Sequence, residues 1–593
     1  MVRLPISLHN PVPQRFRGFR PRVWLVISMM GVFALTVGWR AYDLQVAQHE
    51  ALLEMAVRQS QRVIRIGGKR GPIRDSFGQP LAISLRAQSF FAHPARIEEP
   101  ARTAFLLARV LSLPPEELEA RLRSDRPFVW IKRQVTAEEA AAVKALDLKG
   151  VGAMPEFRRA YPRRLFAASL LGFTGIDTQG LEGLEYAYDS YLRGARGHRI
   201  MDVDALGRTF LRVQRDFPSG GGNLRLTLHP GIQFYAEREL ARAVERSEAK
   251  AGVAIVVKSE TGEILAMAQA PAFNPNDYPA YDQGSYFNRA VTSGYEPGST
   301  FKVITAATAL EAGTIRPDTL LFCEEGLFPY YDSTIHDTSP HGWLTLERAI
   351  RVSSNICAAK AGLSVPVGLF HETITRFGFG RRPGLFTAPS GRRLAGEAEG
   401  YVLPPNKWTP VDHAAISFGH GILVSPLQLI MAVNTIATGG LLLKPILVKE
   451  IRDAEGRLLQ RNQRQVMRRV ISRQTAATVR DFMEGVVSEG GTGYRAALAG
   501  YRVAGKTGTT EKYDIKARGY SKTRHIASFV GFLPAGKPAL TLLVLIEEPL
   551  RGRYGGVIAA PVFRDIAARA LPLLGIWPKS GVRRLPENKV AEN

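Results

Sequence analysis

Residues Glu296–Gly313 read EPGSTFKVITAATALEAG. Pro297 and Gly298 make a turn, and the apolar spacing that follows predicts a helix. Ser299 stands at the helix start and Lys302 one turn on, on the same face. A serine hydroxyl is a poor nucleophile until a base takes its proton, and a desolvated lysine amine can do so. The helix N-terminus adds partial positive charge for a developing oxyanion. Alone, S-x-x-K is weak, because roughly one chance match is expected in a chain this long. Ser247 and Lys250, in ERSEAKAG, make such a match; with no glycine turn before them they read as solvated surface.

Two further motifs follow in order. RVSSNICAAKAG holds Ser353 and Asn355, which read either as helix caps or as a proton-relaying hydroxyl beside a substrate-binding amide. YRVAGKTGTTEKY holds Lys506, Thr507, Gly508 and Thr509. Here GYRVAGKT also spells the phosphate-binding pattern G-x-x-x-x-G-K-[ST]. That pattern must open a helix, whereas TGTTEKYD supplies glycine, threonine and aspartate, so an antiparallel edge strand is the better reading. On such a strand Gly508 lets a substrate backbone approach. Thr507 and Thr509 offer hydroxyls, and Lys506 a positive charge, to a carboxylate.

Around these motifs, LRLTLHPGIQFYAERELARAVER (224–246) reads as strand, turn and long helix. GVAIVVKSETGEILAMAQAP (252–271) reads as a hairpin, and HIASFVGFLP and ALTLLVLIEEP as two more strands. A sheet drawn from both ends of a region, with helices between, predicts a mixed α/β domain over about 228–577. Residues 42–227 read as a pedestal of short strands, turns and two or three amphipathic helices, including ARTAFLLARVLSL and AEEAAAVKAL. Its arginines in RRAYPRR read as structural or surface-binding, and residues 578–593 as a loose tail.

The 593 residues carry 78 Lys+Arg against 54 Asp+Glu, a net +24 that favours a polyanionic partner, nucleic acid or an anionic membrane or wall. The N-terminus discriminates. Residues 23–41 hold an apolar run, VWLVISMMGVFALTVGW, about 25 Å long as a helix. Five arginines and no acid precede it, so residues 1–22 stay cytoplasmic and the rest is exported. The run exceeds a signal-peptide core and no A-x-A site follows, which argues for an uncleaved anchor and a bitopic protein of the cytoplasmic (inner) membrane. Outside the cytoplasm nucleic acid is a poor explanation for the remaining 24 − 5 = 19 charges. Two cysteines, Cys323 and Cys357, exclude a disulfide framework or a four-cysteine metal site; an oxidising compartment permits them to pair, though nothing local demands it. His336, Asp337 and His341 read as a loop at the substrate mouth in preference to metal ligands. No metal or other cofactor is implied.

In the order S-x-x-K, S-x-N, K-T-G-T, the chain resembles the penicillin-recognising serine acyltransferases. RGPIRDSFGQPLA (70–82), RAYPRRLFAASLLGFTG (159–175), DTQGLEGLEYAYDSYLRGARG (177–197) and SFGHGILVSPLQL (417–429) are similar to segments of class B penicillin-binding proteins. DTQGLEGLE and Asn355 are closer to the division (septal) branch than to the elongation branch. The resemblance implies an α+β architecture: a single transmembrane helix, an elongated dimerisation-type pedestal, and a serine β-lactamase/penicillin-binding transpeptidase fold with a helical subdomain. It implies a D,D-transpeptidase acting on peptidoglycan stem peptides and acylated by β-lactams. Ser299 would be the nucleophile, Lys302 the base and Ser353 the proton relay. Asn355 would hold the substrate amide, with Lys506, Thr507 and Thr509 at the terminal carboxylate. The N–H groups of Ser299 and Thr509 would form the oxyanion hole. The family also implies a SEDS-type glycosyltransferase and other divisome membrane proteins as partners. Alternatives are an elongation-type enzyme, a penicillin sensor or silent divisome scaffold, and a serine β-lactamase. The last would need a deacylating Glu or an S-D-N motif, and neither is assignable.

Overall fold

The N-terminal apolar run becomes helix α1, Phe19–Tyr42, beginning a few residues earlier than its apolar stretch. Pro21 fits the first turn, where its missing N–H costs nothing. Trp24, Leu25, Phe33, Leu35 and Trp39 are all exposed, so none of the described residues covers this apolar surface. Among the described residues it is the one helix long and apolar enough to cross a membrane. A π-turn, Asp43–Ala47, and a helix, His49–Ser60, follow. Strands Gln61–Ile66, Gly197–Val203 and Thr209–Leu211 pair antiparallel in the same unit. The computed structural model describes residues 19–66, 68–194, 197–203, 209–211, 220–388, 390–391, 396–514 and 519–578. Most of the basic N-terminal segment and all but the first residue of the C-terminal tail lie outside these.

In the second unit a seven-stranded sheet gathers Ile73–Arg74, Pro80–Ala92, Val129–Val135 and Val151–Ala160. Helices Pro100–Leu111, Pro115–Leu122 and Ala137–Ala145 cover it, burying Leu107, Leu111, Leu118, Leu122 and Val143 against Ile131. The same sheet takes Asn223–Leu226 and then Val448–Arg452 and Leu458–Arg461 from far along the chain. One sheet thus takes strands from both sides of the 227/228 boundary expected from the sequence.

One buried charge cluster ties this region together. Arg70, wholly buried, donates from Nε to Glu185 at 2.5 Å and from Nη1 to Asp189 at 2.6 Å. Arg159 donates from Nε to the other Glu185 oxygen at 2.7 Å and from Nη1 to the Gly71 carbonyl at 2.9 Å. Two guanidinium groups thus face two carboxylates, which is how ionised groups survive burial. Arg159 in the RRAYPRR stretch is structural. Segments 70–82, 159–175 and 177–197 each supply residues to this one cluster.

The C-terminal half opens with α2, Pro230–Arg246, then a hairpin of β1, Ala251–Lys258, and β2, Glu263–Ala270. The middle is helical: α3, Lys302–Glu311; α4, Asn355–Leu363; α5, Pro426–Ala437; and α6, Arg473–Val487. It closes with β3, Ala504–Asp514, β4, Gly519–Leu533, β5, Leu540–Glu547, and α7, Gly555–Leu573. The strands form an antiparallel sheet in the order β2-β1-β5-β4-β3. Val253, Ile255 and Val257 face the core shared with α3 and α5, while Ala254 and Val256 face α2 and α7. Burial on both faces explains why these strands read as unbroken apolar runs. Ser247 differs from its sequence reading: it is buried at the end of α2, where its hydroxyl donates to the Ala243 carbonyl at 2.6 Å.

Candidate active site

Segments far apart in sequence meet at one hydroxyl. Gly298, at φ +52°, turns the chain into a 3-10 turn, Gly298–Phe301, that runs into α3. A Cβ at Gly298 would lie 2.2 Å from Thr510 Oγ1, so the turn is pressed against β3. Lys302 N–H donates to the Ser299 carbonyl, and side chains three apart eclipse in such a turn, so lysine and serine share a side. Ser299 itself is half-buried.

Lys302 Nζ, fully buried, donates to the Ser353 carbonyl at 2.5 Å, Asn355 Oδ1 at 2.6 Å and Ser353 Oγ at 3.3 Å. Lys506 Nζ, equally buried, donates to the same Ser353 Oγ at 2.8 Å. Ser353 sits at φ +66°, left-handed backbone that a residue with a Cβ seldom adopts, at the end of helix Leu346–Val352. The strain turns both its carbonyl and its hydroxyl toward the lysines.

Loss of water pushes both lysines down. Lys302 falls to about 7, with desolvation opposed by the Asp337 carboxylate. Lys506 falls well below the lysine range through desolvation and the neighbouring Lys302. A free amine at Lys302 near neutral pH is what a base for Ser299 requires. The ammonium form predominates below this pKa and cannot accept a proton. Acylation by a fluorescent penicillin is therefore expected to fall roughly tenfold per unit below about pH 7 and to level off above it. A flat labelling rate between about pH 5.5 and about pH 8.5 would rule out Lys302 as the base.

β3 is the edge strand of the sheet, so one side of its backbone is open to pair with an extended peptide. Strand alternation sends Lys506 and Gly508 to the side of the Gly298–Phe301 turn. Thr507 turns the other way, to the side of Thr509, and is buried, with Oγ1 2.9 Å from Thr492 Oγ1. Thr509 is half-buried, and its Oγ1 accepts the Gly555 N–H at 3.1 Å. Asn355 and Thr509 line an open cleft of about 610 Å³.

Residues 252–568 match the penicillin-binding protein transpeptidase domain and residues 65–226 the penicillin-binding protein dimerisation domain. The chain belongs to the class B penicillin-binding proteins. It is 33% identical to the peptidoglycan D,D-transpeptidase FtsI of Escherichia coli (strain K12), over 94% of this chain and 92% of that one. It is 34% identical to the stage V sporulation protein D of Bacillus subtilis (strain 168), over 94% and 87%. A solved penicillin-binding protein 3 from Mycobacterium tuberculosis, complexed with aztreonam, superposes with a TM-score of 0.68 at 25% identity, covering 88% of this chain and all of that one.

This penicillin-binding protein also uses residues that its motifs do not announce. Asp337 caps α4: its carboxylate accepts from Ser354 Oγ at 2.5 Å, Asn355 N at 2.5 Å and Ile356 N at 3.1 Å. The neighbouring His336 carbonyl accepts from Asn355 Nδ2 at 2.7 Å, which fixes the amide orientation. HDTSPH is thus a loop that positions the S-x-N segment. Cys323 and Cys357 form a buried disulfide that fastens α4 to the start of the same region. Glu296, three residues before Ser299, accepts from Gly421 N and Tyr520 Oη, both at 3.0 Å. The penicillin-binding protein thereby links its Ser299 turn to the 417–429 segment and to β4. The sequence signal for Glu296 was only its place beside the S-x-x-K turn; for Asp337 it was a carboxylate in a loop, 16 residues before Ser353.

Proposed function

We propose that this chain is a peptidoglycan D,D-transpeptidase of the division septum. The observation that carries the chemistry is the convergence of Lys302 and Lys506 on Ser353 Oγ, with Asn355 on the same amine. Ser299 Oγ attacks the carbonyl of the penultimate D-Ala of a stem peptide paired along β3, and Lys302 takes its proton. The N–H groups of Ser299 and Thr509 hold the oxyanion. Collapse breaks the peptide bond, and Ser353 relays the proton to the departing D-Ala amine. An amine of a second stem then attacks the ester, forming the cross-link and returning the serine. Asn355 binds the donor amide. Lys506, Thr507 and Thr509 bind the terminal carboxylate. β-Lactams acylate the same serine.

The septal role rests on DTQGLEGLE and on Asn355 in the S-x-N motif, both similar to the division branch. Residues 1–22 lie in the cytoplasm, 23–41 form the anchor, and the pedestal (42–227), transpeptidase region (228–577) and tail lie outside. A SEDS-type glycosyltransferase and other divisome membrane proteins bind through anchor and pedestal. Depletion of the chain is expected to give filaments, rescued by the full chain and not by one lacking residues 1–41; round cells would place it in elongation. A reporter fused after Arg40 is expected to be active only outside the cytoplasm.

A further inference from the structure

The cleft carries an opposite-charge pair that acyl transfer does not use. Glu511 stands two residues beyond Thr509 on β3, roughly 7 Å along the strand. Its Oε1 accepts from Arg553 Nη2 at 2.6 Å, and both residues line the cleft with Asn355 and Thr509. Their side chains are 38% and 50% exposed, so water already competes for the pair and opening it costs little. Lys512, the next residue, alternates to the opposite face and pairs with Glu547 and Glu548 at 2.7 Å and 2.5 Å. Glu296 is held by Tyr520 and Gly421, with His420 Nδ1 3.3 Å away. The Glu511–Arg553 pair is left facing the cleft.

In the donor register proposed above, on which this inference rests, the scissile carbonyl sits at the N–H groups of Ser299 and Thr509. The residue upstream of the two D-Ala units then runs past Thr509 toward Glu511. In a stem peptide that residue is a diamino acid. We propose that Glu511 and Arg553 read its distal end, selecting a diamino acid that carries an ammonium and a carboxylate on the same carbon. The ammonium donates to Glu511 and the carboxylate accepts from Arg553, so one protein ion pair is exchanged for two charge-assisted contacts. A lysine-like residue supplies only the ammonium and leaves the guanidinium without its anion.

The test uses the full-length protein in detergent and three donor peptides ending in D-Ala-D-Ala. They differ only in the preceding residue: lysine, a diaminodicarboxylic acid, and that acid with its distal carboxylate amidated. The readout is the ratio of kcat/KM values for D-Ala release, which cancels any general loss of activity. Wild type is expected to favour the free dicarboxylic residue roughly tenfold over the other two. Arg553→Ala is expected to bring all three within about twofold, and Arg553→Lys to retain part of the preference. A preference that survives Arg553→Ala, or none in wild type, overturns the inference. Release from no peptide, while fluorescent penicillin still labels Ser299, overturns the donor register itself and this reading with it.

Discussion

Ser299→Ala protein is expected to form no covalent adduct with penicillin and to lose at least about a thousandfold in D-Ala release, with its thermal midpoint unchanged. Alanine removes one oxygen from a half-buried residue in a turn whose shape is set by Gly298 and by the Gly298 N–H bond to the Gly419 carbonyl at 3.1 Å. No ester can form without that oxygen. Lys302→Met is expected to produce a similar loss by a different route. The methionine fills much of the buried volume but provides no proton acceptor, while Ser353 keeps its bond from Lys506. In the proposed roles nucleophile and base act as one unit, so the double variant is expected to be no worse than either single one. Stoichiometric labelling of folded Ser299→Ala by fluorescent penicillin would place the nucleophile elsewhere.

The largest effect on stability is expected from Arg70→Met. Arg70 donates four hydrogen bonds inside the protein: to Glu185 Oε2, Asp189 Oδ1 and the carbonyls of Thr178 and Glu185. Removing it leaves Arg159 as the principal counter-charge for a fully buried Glu185. Breaking one side of a buried ionic cluster typically costs about 3–5 kcal/mol, because the remaining carboxylate keeps its desolvation penalty. Burial raises the Glu185 pKa while Arg159 and Arg70 lower it, so loss of Arg70 also shifts the carboxyl upward. Thermal unfolding of the full-length protein checks this, with Arg70→Met/Glu185→Gln expected to recover part of the loss. A change within about 0.5 kcal/mol would mean that water, and not Arg70, balances these carboxylates.

Much of the catalytic fold was legible because its signals are local. The period of TFKVITAATALEAG gives α3, the apolar runs around Ser259–Gly262 give the β1–β2 hairpin, and the glycine and threonines after Lys506 favour a strand over a phosphate-loop helix. Strand alternation also separates the motif's side chains: Lys506 faces Ser353, and Thr507 and Thr509 lie on the other face. Ser247 was misread because a charged stretch looks solvated, although its helix end is packed under the Leu550 and Arg551 N–H groups.

The sequence by itself determined the chemical inventory: a hydroxyl three residues before an amine, a second serine with a carboxamide, a lysine on a glycine-containing strand, and an apolar stretch long enough for a membrane. Those are properties of short windows, fixed by helix and strand periods and by side-chain type. Only the tertiary structure decided that Lys302 and Lys506 share one Ser353 hydroxyl, that Asp337 caps α4, that Cys323 pairs with Cys357, and that Glu511 meets Arg553 in the cleft. Each of those contacts joins residues between 18 and 153 positions apart. Their existence depends on how buried surfaces pack and on the water that packing removes, and neither is written in a local window.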